Sequence, residues 1–133
     1  MMTPLDNLYY AIGELAYAVA RADGEIQPAE LDRLRSIVKE QVKRHKSGYE
    51  IAEIIFQVMQ KEAAAPADAY NRAMKDVRLN SHYLSPELKE IFVAIMEEVA
   101  AAFPPVTGSE KSLIEKFRSE IAGLNGDPVY YNS

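Results

Sequence analysis

Apolar residues at Leu8, Ile12, Leu15, Val19 and Ala22 recur at intervals of four and three, the spacing that places them on one face of an α-helix. This predicts a helix over about 5–22, broken by Asp23-Gly24. A second helix is predicted to open after Gln27. Pro28 takes its first position, where a missing N–H costs nothing, and Leu31, Leu34, Val38 and Val42 turn inward until Ser47-Gly48 ends it. A third runs from Tyr49 to about Glu62 with Ile51, Ile54, Ile55, Val58 and Met59 on one stripe. Phe56 lies off that stripe, which suggests burial on more than one side. After Ala63-Ala64-Ala65-Pro66, a fourth over about 67–79 shows a thinner apolar face of Tyr70, Ala73, Met74 and Val77 and is predicted to lie at the periphery.

Asn80-Ser81-His82 is predicted to turn, and Ser85-Pro86-Glu87 combines an N-cap hydroxyl, a first-turn proline and a first-turn carboxylate. The fifth helix then carries Leu88, Ile91, Phe92, Ile95, Val99 and Phe103 inward until Pro104-Pro105 stops it. Ser109-Glu110 opens a sixth, lined by Leu113, Ile114, Phe117, Ile121 and Leu124, and Gly126-Asp127-Pro128 leads into a tail with Tyr130 and Tyr131. No convincing run alternates with period two between turn signals, so the expectation is an all-α bundle of about six to seven helices without a sheet.

The chain has 133 residues, the size of one domain, and a single domain over 1–133 is expected. It has no cysteine, which excludes disulfides, thiolate metal sites and cysteine nucleophiles. The N-terminal residues lack the pattern of a signal peptide and no stretch approaches the roughly 18 apolar residues of a membrane span, so a cytoplasmic protein is expected. A net charge of −5 gives no global attraction for phosphate backbones. The one basic run, Lys39 to Lys46, has no aromatic residues to stack bases and fits the end of a helix, where cations complement the dipole; no nucleic-acid partner is expected.

Two features bear on chemistry. Asp23-Gly24-Glu25-Ile26 followed by Glu30 matches the second half of an EF-hand loop, yet the places for the earlier oxygen ligands hold Arg21 and Val19, so a standard EF-hand is excluded. Two readings stay open. In one, Gly24 is a helix-ending turn and Glu25 and Glu30 are solvated or first-turn carboxylates. In the other, Asp23 and Glu30 converge as hard oxygen ligands suited to calcium, magnesium or manganese. The second feature is the tyrosine set Tyr9, Tyr10 and Tyr17. Tyr10 and Tyr17 share a face of the first helix that the main stripe does not use, a surface for a protein partner or a second copy, unless these rings simply pack within the bundle.

The run from Leu15 to Leu31, centred on Ala22-Asp23-Gly24-Glu25-Ile26-Gln27-Pro28-Ala29-Glu30, resembles the signature of the TerB-like, tellurite-resistance family. The resemblance implies a helical bundle with an internal two-fold repeat, halves near 5–62 and 67–125. It also implies a metal-linked stress-response or scaffolding role and peripheral association with membrane assemblies. Set so that Ala20 meets Ala100, the apolar scaffold repeats and Glu30 meets Glu110, but Asp23-Gly24-Glu25 falls on Phe103-Pro104-Pro105, a departure from a paired site. What the resemblance implies for metal is thus a surface of Asp23, Glu25 and Glu30, joined by Glu110.

No enzyme is expected. His45 and His82 lack metal-ligand spacing, and there is no nucleophile elbow, phosphate-cradling glycine loop or His-Glu-x-x-His helix. Glu97 and Glu98, with Glu110, are paired carboxylates that could meet near a cleft for acid–base work, but as neighbours on a helix Glu97 and Glu98 point about 100° apart, which favours a solvated face.

Overall fold

A computed structural model describes residues 2–22, 24, 32–33, 36–37, 40, 49–102 and 106–132. Among them the secondary structure is helical, with no strand: α1 (Pro4–Arg21), α2 (Tyr49–Glu62), α3 (Pro66–Leu79), a 3-10 turn (Ser81–Tyr83), α4 (Pro86–Ala101), α5 (Gly108–Ile121) and α6 (Pro128–Tyr131). The all-α bundle expected from the sequence is therefore the observed fold. The arrangement does not confirm the internal two-fold repeat. Between Gly24 and Tyr49, Asp32, Arg33, Ser36, Ile37 and Glu40 are helical, and Ser36 Oγ donates to the Asp32 carbonyl at 3.0 Å. The remainder of the second predicted helix, with Leu31, Leu34, Val38 and Val42, lies outside the described residues, as do most of the basic run and Phe103.

α1 is the hub. Thr3 and Asp6 close its N-terminus reciprocally, Asp6 N–H donating to Thr3 Oγ1 and Thr3 N–H to Asp6 Oδ2, with Pro4 in the first turn. From Leu8 to Val19 every residue of α1 except Tyr10 is buried, because α2, α3 and α4 pack around it and α5 touches it as well. The main stripe faces the core as expected, and the opposite face is covered too.

That cover is α3, which corrects its expected peripheral place: among the described helices it makes the most extensive contact with α1. Its apolar face is thin because Ala69 and Ala73 are small, and small residues let two helix axes approach closely with Tyr70, Met74 and Val77 filling the margins. α2 is corrected as well. Its buried positions are Ala52, Ile55, Phe56 and Met59, a one-faced set, while Ile54 and Val58 of the predicted stripe are exposed. The close approach of Ala52 to Gly13 turns Phe56 inward, where its ring meets Tyr17 edge-on at 6.1 Å.

α2 ends on Ala63 in the left-handed region (φ 53°), with Ala64 N–H bonded to the Met59 carbonyl and Ala63 N–H to that of Gln60. The tail docks: Gly126 N–H donates to the Leu84 carbonyl and Asp127 N–H to that of His82, and Asp127 caps the short α6. The Tyr130 ring then lies 5.0 Å from His82 and 5.4 Å from Tyr83. Among the described residues no helix is long and apolar enough to cross a membrane.

Candidate functional site

Glu14 occupies the face of α1 between Tyr10 and Tyr17, and α3 closes over it. Only 1% of the residue is exposed. A carboxyl group so far from water must find partners or stay protonated. One partner is Asp76, half-buried on α3, which shares a hydrogen bond with it. Two carboxyls can share such a bond only when one keeps its proton, and burial first, then that bond, then the Asp76 charge push the Glu14 group up to about 8. The nearby Arg72 guanidinium opposes the shift. Asp76 is raised too, chiefly by burial, against the bond from Glu14 and the charge of Lys75. Near neutral pH the Glu14 carboxyl therefore keeps its proton, and its Oε1 is buried with no hydrogen-bond partner.

Glu14 belongs to the lining of a cleft of about 260 Å³ between α1 and α3, walled by Asn7, Tyr10, Arg72, Lys75 and Asp76, with Met2 at its edge. The far wall is fixed in place. Asn80, the C-cap of α3, donates through Nδ2 to the Asp76 carbonyl (2.7 Å), and Asn7 Nδ2 reaches Asn80 Oδ1 at 3.4 Å. The Tyr10 hydroxyl titrates above its ordinary range because of burial first, then the charges of Glu14 and Asp76, with a smaller contribution from Glu62 of α2 and opposition from Arg72.

A scan against protein-family models finds no match to the chain, and searches of curated proteins and of solved structures find none either. The fold and this cleft therefore carry the functional argument.

The residues singled out from the sequence fall in three places. Asp23, Glu25 and Glu30 lie outside the described residues. Glu110 is nine-tenths buried at the start of α5, where its Oε1 accepts from Thr107 N–H (2.8 Å) and Oγ1 (3.0 Å) while Thr107 Oγ1 accepts from Glu110 N–H. That carboxylate is engaged in closing a helix end. Among the described residues no three acidic or imidazole side chains gather as a metal site. Glu97 is held by Arg118 Nη2 at 2.6 Å, so Glu97 and Glu110 have separate partners.

Tyr10 lines the cleft, but Tyr17 is fully buried and presents no ring surface to a partner. Its hydroxyl donates to the Ala64 carbonyl (2.5 Å) and accepts from Arg21 Nη1 (2.6 Å), tying α1 to the turn between α2 and α3. Tyr17→Phe is expected to lower the unfolding free energy by about 0.5–1.5 kcal/mol, since it removes the bond to a half-buried carbonyl and loosens the arginine. Urea unfolding followed by circular dichroism checks this. An unchanged midpoint would mean that water replaces the hydroxyl at no cost.

Glu14 and Asp76 were missed in the sequence. The signal available was an ionisable residue flanked at i−4 and i+3 by Tyr10 and Tyr17, on the second apolar face of a helix too apolar to have a wide solvated side.

Proposed function

We propose that this chain is a non-enzymatic binding module whose ligand occupies the cleft between α1 and α3. One observation carries the reading. Glu14 is a carboxyl that burial has driven to keep its proton, yet one of its oxygens has no donor inside the protein. An apolar residue of similar size would fill the same space without that cost, so the group makes sense where an incoming donor completes its hydrogen bonds.

The TerB-like kinship, and a divalent cation at the turn of Asp23, Glu25 and Glu30, are part of this proposal on the sequence alone. The alternative, a protein scaffold with a structural Asp-Gly turn, draws on a specific observation. Gly24 has φ 144°, its N–H bonds the Arg21 carbonyl, and Arg21 Nε donates back to the Gly24 carbonyl at 3.1 Å. Such a turn has local reasons to exist without metal.

The test is heteronuclear NMR on the full chain with separate additions of small ammonium ions, carboxylates, amino acids, calcium, magnesium and manganese. At least one class is expected to shift the amide signals of residues 7–14 and 72–80 in the wild type and to leave them in place in Glu14→Gln. If no addition moves them, the cleft reading fails. Saturable shifts by a divalent cation that vanish in Asp23→Asn, with residues 7–14 and 72–80 unmoved, would place binding at the acidic turn instead.

A further inference from the structure

The charges around the cleft are of both signs and segregated. Glu14 and Asp76 form its carboxyl side, while Arg72 and Lys75, one turn apart on the exposed side of α3, bring two cations to its rim. A free divalent cation is poorly served here, since it would face two cationic side chains and only two acids. A plain anion would meet the carboxyls. A ligand bearing an ammonium and a carboxylate a few atoms apart matches both sides. The volume, about 260 Å³, lies just under the ~300–1,000 Å³ of sites for drug-sized molecules and suits something smaller.

We infer that the cleft takes a small zwitterion of the α-amino-acid type, its ammonium donating to Glu14 and Asp76 and its carboxylate accepting from Arg72 and Lys75. The inference rests on the binding role proposed for the cleft. The Asn7 amide and Tyr10 hydroxyl supply further polar contacts, and Met2 an apolar one for the ligand side chain.

A linked proton follows from the geometry. The groups that face Glu14 are Asp76, Arg72 and Lys75 from α3 and Tyr10 from its own helix, with Glu62 of α2 beyond Tyr10. An ammonium placed on the pair favours its ionised form, so the shared proton leaves to solvent as the ligand binds. Affinity then rises with pH from about 6 to about 8, until the carboxyl is ionised without help.

Isothermal titration of the full chain near neutral pH tests the inference. The probes are the common L-amino acids, then the amide and the deaminated acid corresponding to the tightest of them. The amide lacks the negative charge and the deaminated acid the positive one. Each counterpart is expected to bind at least about tenfold more weakly than the amino acid, because each loses a set of charge-assisted hydrogen bonds. Buffers of different ionisation enthalpy should report proton release. Glu14→Gln, which keeps the side-chain shape, should fold and lose the amino acid. Arg72→Gln, on an exposed residue, should weaken the amino acid several-fold and leave the amide unaffected.

An amide that binds as tightly as the amino acid overturns the zwitterion and leaves a cleft for simple cations. Amino-acid binding that survives in Glu14→Gln overturns the inference and the cleft reading together. Absence of binding by every amino acid overturns the inference. The cleft reading then stands only if another class of probe still shifts residues 7–14 and 72–80.

Discussion

Glu14→Gln is expected to be more stable than the wild-type chain at pH 8, by about 2–4 kcal/mol, and to lose most of the fall in stability that the wild type shows between mildly acidic and mildly basic pH. In the unfolded chain the Glu14 carboxyl titrates near 4.5, whereas in the fold burial and Asp76 hold it near 8. Between these values the folded state binds more protons than the unfolded one, so stability declines as pH rises, at up to ~1.4 kcal/mol per pH unit. Below the lower value both states are protonated, and above the upper one both are ionised, so this group adds no slope at either end. Asp76 is also raised and contributes in the same direction, the two titrating as a pair.

A glutamine keeps the shape and carries a permanent N–H donor for Asp76. It can therefore stand in for the protonated acid at every pH. The measurement is urea unfolding of both proteins from about pH 5 to about pH 9. Parallel curves would mean that Glu14 ionises freely in the fold, and would remove the buried carboxyl pair as an energetic feature. If glutamine stabilises the protein and also abolishes ligand binding, the acid is a place where the fold gives up stability for recognition.

Gly13→Ala is expected to destabilise the protein by about 2 kcal/mol or more, although alanine is favoured over glycine in a helix interior by about 1 kcal/mol. A Cβ at position 13 would lie 2.4 Å from the Ala52 carbonyl oxygen, 3.2 Å from its carbon and 3.1 Å from Ile55 Cβ. Two of these three atoms are backbone, so no rotamer change relieves the clash and α2 must move off α1 as a body. That motion opens the packing of Phe56 against Tyr17. Gly123→Ala is the control, because nothing lies within 4 Å of a Cβ there. It should be neutral or slightly stabilising, through a less flexible unfolded chain. Equal denaturation midpoints for Gly13→Ala and Gly123→Ala would show that the two helices have slack.

These variants mark the boundary of what the sequence discloses. The described helices were largely legible because periodicity, Pro66 and Ser85-Pro86 are local signals, and their observed ends fall within a residue or two of the expected ones except that α5 stops at Ile121, short of the expected Leu124. Depth of burial was not. Ala69 and Ala73 count little in a hydrophobic tally, yet their smallness brings α3 against α1. Ile54 and Val58 count heavily and face outward, because Gly13 and Ala52 set which side of α2 makes contact. The candidate site was hidden for the same reason. Glu14 reads as an ordinary helical glutamate until α3 covers it, and Asp76 lies more than sixty positions away in the chain. Tyr10 and Tyr17 were correctly grouped on one face, and it is that face which holds the acid between them.

The central position of α1 has a consequence for how the molecule opens. A helix enclosed by α2, α3 and α4 cannot fray on its own, so its amide protons from Leu8 to Val19 should exchange with solvent only when the whole domain comes apart, whereas the four-residue α6 can detach alone. Glu14 rides on that last-opening element. A ligand gripped by it would slow exchange throughout the enclosed core by a common factor, rather than only near the contact, and so make occupancy of one small cleft measurable at every buried amide.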